Sequence, residues 1–177
     1  MENVLLVAAT DIELCDRHGL VCGVGPVEAA AATARVLALD RPDAVLHVGI
    51  AGARGITPGG IVIGSESIYS DISAEIPVVG RLEPDAALLV ALRGALPEAL
   101  SLPIGTSAAV GGAGDVRVEG MEGFAVLRAC ALAGVPAIEV RAISNEITDA
   151  DRSRWRIGRA LEALADALPK MLEAAAQ

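Results

Sequence analysis

Short apolar runs alternate with stretches of helical spacing along the whole chain. Asn3–Ala9 is one apolar block, of strand length and too short for a helix. Leu20–Val24 is a second. Gly25-Pro26 then opens a helix through Asp40, with proline at the first helical turn, and Pro42 stops it. The alanines at 29–32 give that helix a small face suited to close packing. Ala44–Ile50 reads as a buried strand that runs into Gly49-Ile50-Ala51-Gly52, where glycine lets backbone come close to other groups. Gly59-Gly60 turns into a strand at Ile61–Tyr69, and Pro84–Leu96 has helical spacing. Leu102–Val110 reads as a strand before the loose Gly111-Gly112-Ala113-Gly114. A helix is expected over Glu119–Ala133, ended by Gly134-Val135-Pro136. Ala137–Ser144 is an apolar strand interrupted by two charges, Glu139 and Arg141. Asp151 is placed to cap a last helix reaching Ala175, interrupted near Pro169.

This alternation predicts an α/β fold, a three-layer sandwich with a mostly parallel central sheet, as a single domain over residues 1–177. Ligands in such folds bind beyond the carboxyl ends of the strands. The polar groups expected there are Thr10, Asp11 and Glu13, then Gly49–Gly52, then Ser144, Asn145 and Glu146. Glu119 and Glu122, at a helix start, face the same crevice.

Composition narrows the class. Hydrophobic residues are 53% of the 177, yet the aromatics are only Tyr69, Phe124 and Trp155, and 34 residues are alanine. A core of Ala, Val, Leu and Ile suits helices lying close on a sheet, and excludes both disorder and an aromatic-rich β-sandwich. A formal net charge of −9 argues against nucleic acid, which needs a cationic face. No apolar run approaches the ~20 residues of a membrane span. Val4–Ala9 is too short for a secretory core, and Glu2 stands where a basic start is expected. Cys15, Cys22 and Cys130 are an odd set without framework spacing, consistent with thiols in a reducing cytoplasm. Cys15, His18 and Cys22 lack paired spacing and a fourth ligand, so no metal site is expected.

Four segments occur in a telling order: Gly23-Val24-Gly25-Pro26-Val27-Glu28-Ala29-Ala30; Pro42-Asp43-Ala44-Val45 through Gly49-Ile50-Ala51-Gly52; Met121-Glu122-Gly123; and Arg141-Ala142-Ile143-Ser144-Asn145. Together they resemble the purine nucleoside phosphorylase superfamily in its nucleosidase branch. Ser144-Asn145 followed by Asp151-Arg152-Ser153-Arg154-Trp155 is most like the futalosine hydrolases. The resemblance runs from Asn3 to Leu164, on a chain shortened relative to the family. It implies hydrolysis of a purine nucleoside at its N-glycosidic bond, futalosine to hypoxanthine and dehypoxanthine futalosine in menaquinone biosynthesis. It implies no cofactor and a homodimer or higher homo-oligomer, with Tyr69, Ser70 and Asp71 near the neighbouring subunit.

The resemblance also assigns roles. Cleavage passes through a ribosyl cation, which carboxylates suit. Glu13 would activate water. Glu122 would bind the ribose hydroxyls, with Met121 on the sugar face and Ala51, Gly52 and Ser144 lining the reaction centre. Asn145 stands where adenine-releasing relatives carry aspartate. Its amide can donate to the N7 and O6 acceptors of a 6-oxopurine but has no proton to transfer. Relatives stack an aromatic on the base from the segment matching Gly105–Glu119, which here has none; Phe124, Tyr69 or a neighbouring subunit would have to cover the purine. Phosphorylases hold phosphate with an arginine and a hydroxyl residue where this chain has His47 and Ile50, which favours water as nucleophile. Arg17 and Arg54 remain as anion contacts to be placed. Glu119 is read as a surface or capping residue, and Arg152, Arg154 and Trp155 as the exposed start of the last helix rather than readers of an aromatic carboxylate. Two other readings stay open: a methylthioadenosine/S-adenosylhomocysteine nucleosidase, and a non-catalytic nucleoside-binding relative.

Overall fold

The computed structural model describes residues 3–177. Strands β1 (Val4–Ala8), β2 (Leu20–Val21), β3 (Ala44–Ala53), β4 (Ile61–Tyr69), β5 (Arg81–Leu82), β6 (Leu100–Thr106), β7 (Val118–Gly120) and β8 (Ala137–Glu146) form one sheet. Helices α1 (Pro26–Leu39) and α3 (Gly123–Ala133) pack on one another, as do α2 (Ala86–Ala95) and α4 (Ile157–Ala175).

Side-chain alternation along the strands sorts the core into layers. Leu6, Leu46, Val48 and Val140 meet α2 and α4 through Leu88, Leu92, Leu164, Leu168 and Met171. One residue along, Val7 and Val45 point the other way, against α1 and α3 through Ala29, Leu37, Val126 and Cys130. Ala29, Thr33 and Leu37 are the buried positions of α1, four residues apart, so small side chains let the helix lie close to the sheet.

The α/β layering follows the sequence pattern; the sheet itself is a correction to it. Pairs β3–β7, β4–β5 and β4–β8 are antiparallel, so the sheet is mixed rather than plainly mostly parallel. It also closes. β3 pairs with β7, β7 with β6, β6 with β4, β4 with β8, and β8 with β3. This ring of five strands encloses its own core of Ala51, Ala53, Val62, Ile104, Val118 and Ile143, with every strand contributing. Continuous apolar runs look alike in an open sheet and in a closed one buried on both faces, so the strand pattern did not distinguish them.

Boundaries shift for local reasons. The helix expected from Glu119 starts at Gly123, because Val118–Gly120 is the strand that closes the ring. Asp151 caps a short turn at Arg152–Arg154 instead of the last helix, accepting from the Ser153 N–H at 3.0 Å. Helix α4 runs through Pro169 undivided. Pro169 and Ala165 lie on the exposed face, where solvent can satisfy the carbonyl the proline leaves without a donor. Among the described residues no helix is long and apolar enough to cross a membrane.

Candidate active site

A cavity of about 400 Å³ opens where β1, β3, β7 and β8 end. Its wall includes Glu13, Ala51, Gly52, Met121, Glu122, Ser144 and Asn145. These residues come from four stretches far apart in sequence, and the strand ends bring them together. Phe124 is not in the wall. It is buried in the first turn of α3, its N–H donating to Thr106 Oγ1 at 2.8 Å and its ring stacked on Tyr69 at 5.2 Å. The aromatic that does line the cavity is Trp155, from the turn after β8.

Glu13 sits in a 3-10 turn directly after β1, only 5% exposed. One carboxylate oxygen accepts the Ile50 N–H at 2.9 Å; the other accepts the Thr10 N–H at 3.0 Å and the Thr10 hydroxyl at 2.6 Å. Three donors therefore fix a buried carboxylate at the cavity wall, which offsets the cost of removing it from water. Gly49 makes this possible. A Cβ there would fall 2.7 Å from Glu13 Oε1 and 2.5 Å from Arg141 Nη1.

Glu122, 4% exposed, immediately precedes α3. Its Oε1 accepts the Gly25 N–H at 3.0 Å, and its Oε2 lies 3.8 Å from Arg141 Nη1. Arg141 is buried in β8 and also approaches Glu139, 3.7 Å from its Oε2. Its third partner is His47 on the neighbouring strand, whose Nε2 faces Arg141 Nη2. Arginine can only donate, so Nε2 accepts, and the proton sits on Nδ1, which donates to Val7 O at 3.0 Å. Burial, reinforced by the Arg141 cation, holds His47 well below its ordinary range, hence neutral. Burial also pushes the Glu139 carboxyl up to about 7 against the opposing pull of Arg141, with Glu122 adding to the rise. Gly123 leaves the room this buried cluster needs, since a side chain there would collide with Glu139.

Asn145 and its neighbour Ser144 both line the cavity although they are consecutive in a strand. The register explains it. Ala51 pairs with Ile143 and Gly52 with Asn145, so Ser144 is an extra residue, a β-bulge that re-aims the strand end. The Ser144 hydroxyl donates to Asn145 Oδ1 at 2.7 Å, with Ala51 O as second acceptor at 3.2 Å. Asn145 Nδ2 donates to Glu146 O at 3.0 Å. That fixes the amide's orientation and leaves one Nδ2 hydrogen for a ligand. A Cβ at Gly52 would lie 3.1 Å from this nitrogen, so glycine keeps the approach open.

Glu119 differs from its sequence reading as a surface or capping residue. It is 7% exposed and lines the cavity. Its two oxygens accept the Gly111 N–H at 2.5 Å and the Ala113 N–H at 2.8 Å, tying the glycine-rich loop to β7. Arg17 and Arg54 do not line the cavity; among the described residues Arg152 is the one basic residue that does, in a wall that also holds Glu13, Glu119 and Glu122.

The model for the phosphorylase superfamily matches residues 17–113 and 107–177. The chain belongs to the phosphorylase superfamily. A futalosine hydrolase of Streptomyces coelicolor is 38% identical over 182 residues, covering 86% of this chain and 77% of that protein. A futalosine hydrolase of Thermus thermophilus is 31% identical, with 86% and 80% covered. Among solved structures, futalosine hydrolase of Helicobacter pylori superposes with a TM-score of 0.85 at 14% identity, over 97% of each chain. The S-adenosylhomocysteine nucleosidase of Streptococcus pyogenes, in complex with 5-methylthiotubericidin, gives 0.84 at 20%, also over 97% of each. These two establish the shared fold. The resemblance drawn from the four ordered segments is thus a family membership.

Proposed function

We propose that this chain is a nucleosidase that hydrolyses the N-glycosidic bond of futalosine, releasing hypoxanthine and dehypoxanthine futalosine, a step of menaquinone biosynthesis. The observation that carries this reading is the pairing of an oriented Asn145 amide with two buried carboxylates across one cavity. It is supported by the likeness to two futalosine hydrolases.

Glu122 accepts the ribose hydroxyls, held in place by Gly25 and Arg141, and Met121 packs on the sugar. The bond from the anomeric carbon to the base nitrogen breaks with its electron pair going to the purine. The Asn145 amide stabilises the departing base by donating to N7 or O6. The anomeric carbon becomes cationic, and carboxylates around it stabilise that charge. A water attacks this carbon while Glu13 takes the water's proton; the departing purine anion takes up a proton from solvent to become hypoxanthine, and Glu13 returns its proton to solvent. Water rather than phosphate is the nucleophile because three carboxylates line the cavity against a single guanidinium. His47, at the position phosphorylases give to an anion-binding arginine, is neutral, buried and committed to Arg141 and Val7.

The protein acts in the cytoplasm as a homodimer. Exposed Val78 lines a second, open groove with Tyr69, Ser70 and Ile72, and Ile76 and Val79 in the same segment are exposed as well, which supports a contact between copies of the chain. Incubation of the purified protein with futalosine, followed by chromatography for free hypoxanthine, tests the reading. Exclusive turnover of methylthioadenosine would replace futalosine by an adenine nucleoside. Thermal stabilisation by futalosine without turnover would make the chain a binding relative.

A further inference from the structure

The turn that follows β8 is built as a rim over the cavity. Arg156 N–H donates to Ser144 O at 2.8 Å, pulling the segment back beside the Ser144–Asn145 bulge. Asp149 organises the segment: its carbonyl accepts the Trp155 indole N–H at 3.0 Å, and its carboxylate lies 3.3 Å from Arg154 Nε. Asp151 accepts from both the N–H and the hydroxyl of Ser153. These contacts consume the acidic residues of the turn and the charge of Arg154.

Arg152 is left over. Among the described residues it has no ion pair, and its guanidinium carbon lies 5.1 Å from the centroid of the Trp155 ring. Arg152 and Trp155 both line the cavity, and Arg152 is its one basic residue. The lining therefore combines three carboxylates, Glu13, Glu119 and Glu122, with a single cation stacked on an aromatic ring.

We infer that Arg152 and Trp155 form a subsite for an aromatic carboxylate at the 5′ end of the nucleoside, with the guanidinium pairing the carboxylate and the indole lying against the aryl ring. This rests on the futalosine reading, since futalosine carries a carboxyphenyl ketone there. The same arrangement disfavours a nucleoside whose 5′ substituent is small and uncharged, which would leave the cation without an anion. Arg152 and Trp155 are then the specificity-determining residues of the pocket. The planar guanidinium suits both tasks, forking onto a carboxylate and stacking on a ring.

The test compares futalosine with its carboxyl methyl ester in wild type, Arg152→Gln, and Arg154→Gln as a control of equal charge change. Arg152→Gln should raise KM for futalosine about fivefold more than for the ester, the upper end for an exposed ion pair. Arg154→Gln should change both substrates alike. Equal losses on futalosine and ester in Arg152→Gln, or no loss on either, overturn the inference. A second readout does not depend on turnover. Trp155 is the only tryptophan in the chain, so its fluorescence reports this rim alone. 3-Acetylbenzoate should quench it in wild type and do so more weakly in Arg152→Gln, with neutral acetophenone affected equally in both. If wild type cleaves neither nucleoside, the futalosine reading fails and the quenching decides the subsite by itself; quenching indifferent to Arg152 rejects it.

Discussion

Arg141 donates to Nε2 of His47 from the adjacent strand, so the imidazole is neutral and its other nitrogen donates to Val7 O. The consequence reaches the cavity, because the same guanidinium lies 3.8 Å from Glu122. An arginine held by an uncharged histidine and by Glu139 keeps its direction, and Glu122, the carboxylate proposed to bind the ribose, inherits that direction. On that proposal Arg141 is a positioning residue acting through Glu122.

Glu139 makes this cluster sensitive to pH. It is packed against Arg141, Gly64 and Gly123, and burial, with the Glu122 charge adding to it, raises its carboxyl from 4.5 to about 7 against the pull of Arg141. A carboxyl with a raised folded pKa binds more protons folded than unfolded between those two values. Its contribution to stability is complete below pH 4.5 and is lost as pH rises to about 7. His47 has the opposite sign: its lowered pKa contributes stability above 6.5 that is lost as pH falls. Melting temperatures measured from pH 4.5 to 8 should therefore show Glu139→Gln gaining on wild type as pH rises and levelling off above about 7. A constant difference across that range would count against a titrating Glu139.

Glu13→Gln should cut hypoxanthine release by about 10²–10⁴-fold, the usual share of a general base. Both oxygens of Glu13 accept backbone N–H groups, from Ile50 and Thr10, and an amide can serve only one of them with oxygen. A stability loss of about 1–3 kcal/mol accompanies the change. Substrate-induced thermal stabilisation in the variant separates lost chemistry from lost folding. Release at the wild-type rate would remove Glu13 from the base role.

Asn145→Asp tests the reading of the base. The carboxyl supplies a transferable proton that the amide lacks. The variant should raise adenine release from methylthioadenosine relative to hypoxanthine release from futalosine by about tenfold, close to 1.4 kcal/mol in relative barrier. The measurement is the ratio of kcat/KM for the two nucleosides. An unchanged ratio means that residue 145 does not select the base.

Much of this site was legible in the sequence, and the failures share a cause. Glu13, Glu122 and Asn145 sit at element ends, where local patterns predict polar groups over a crevice, and the cavity wall contains all three. The layers followed from alternation within each strand. Ring closure did not, because it depends on β7, only three residues long, finding β3 and β6. Reading that strand as the start of a helix also turned Glu119 into a surface residue. The partners of Glu119 are backbone N–H groups in a glycine-rich loop, which carry no side-chain signature. Phe124 failed as a cavity residue for a similar reason: one turn of α3 aims it at Tyr69 instead. Trp155 and Arg152 reach the cavity because Arg156 bonds back to Ser144, a contact that no periodicity encodes.

Glu119 gives the most local prediction. Each of its oxygens holds one backbone N–H, at Gly111 and at Ala113, and the loop so tethered carries Val110, which also lines the cavity. Glu119→Gln keeps the shape and one acceptor but turns an N–H₂ toward the other donor. The buried donor left without a partner costs about 1–3 kcal/mol. Because the loop is a wall of the cavity and holds no proposed catalytic group, KM for futalosine should rise by more than kcat falls. Glu119→Ala removes both acceptors and should lower the melting temperature further. Hydrogen exchange localises the effect: faster exchange at Gly111 and Ala113, with the Glu13 turn unchanged, is expected. Exchange that quickens equally across β1 and β7 would mean that Glu119 supports the fold as a whole rather than this wall.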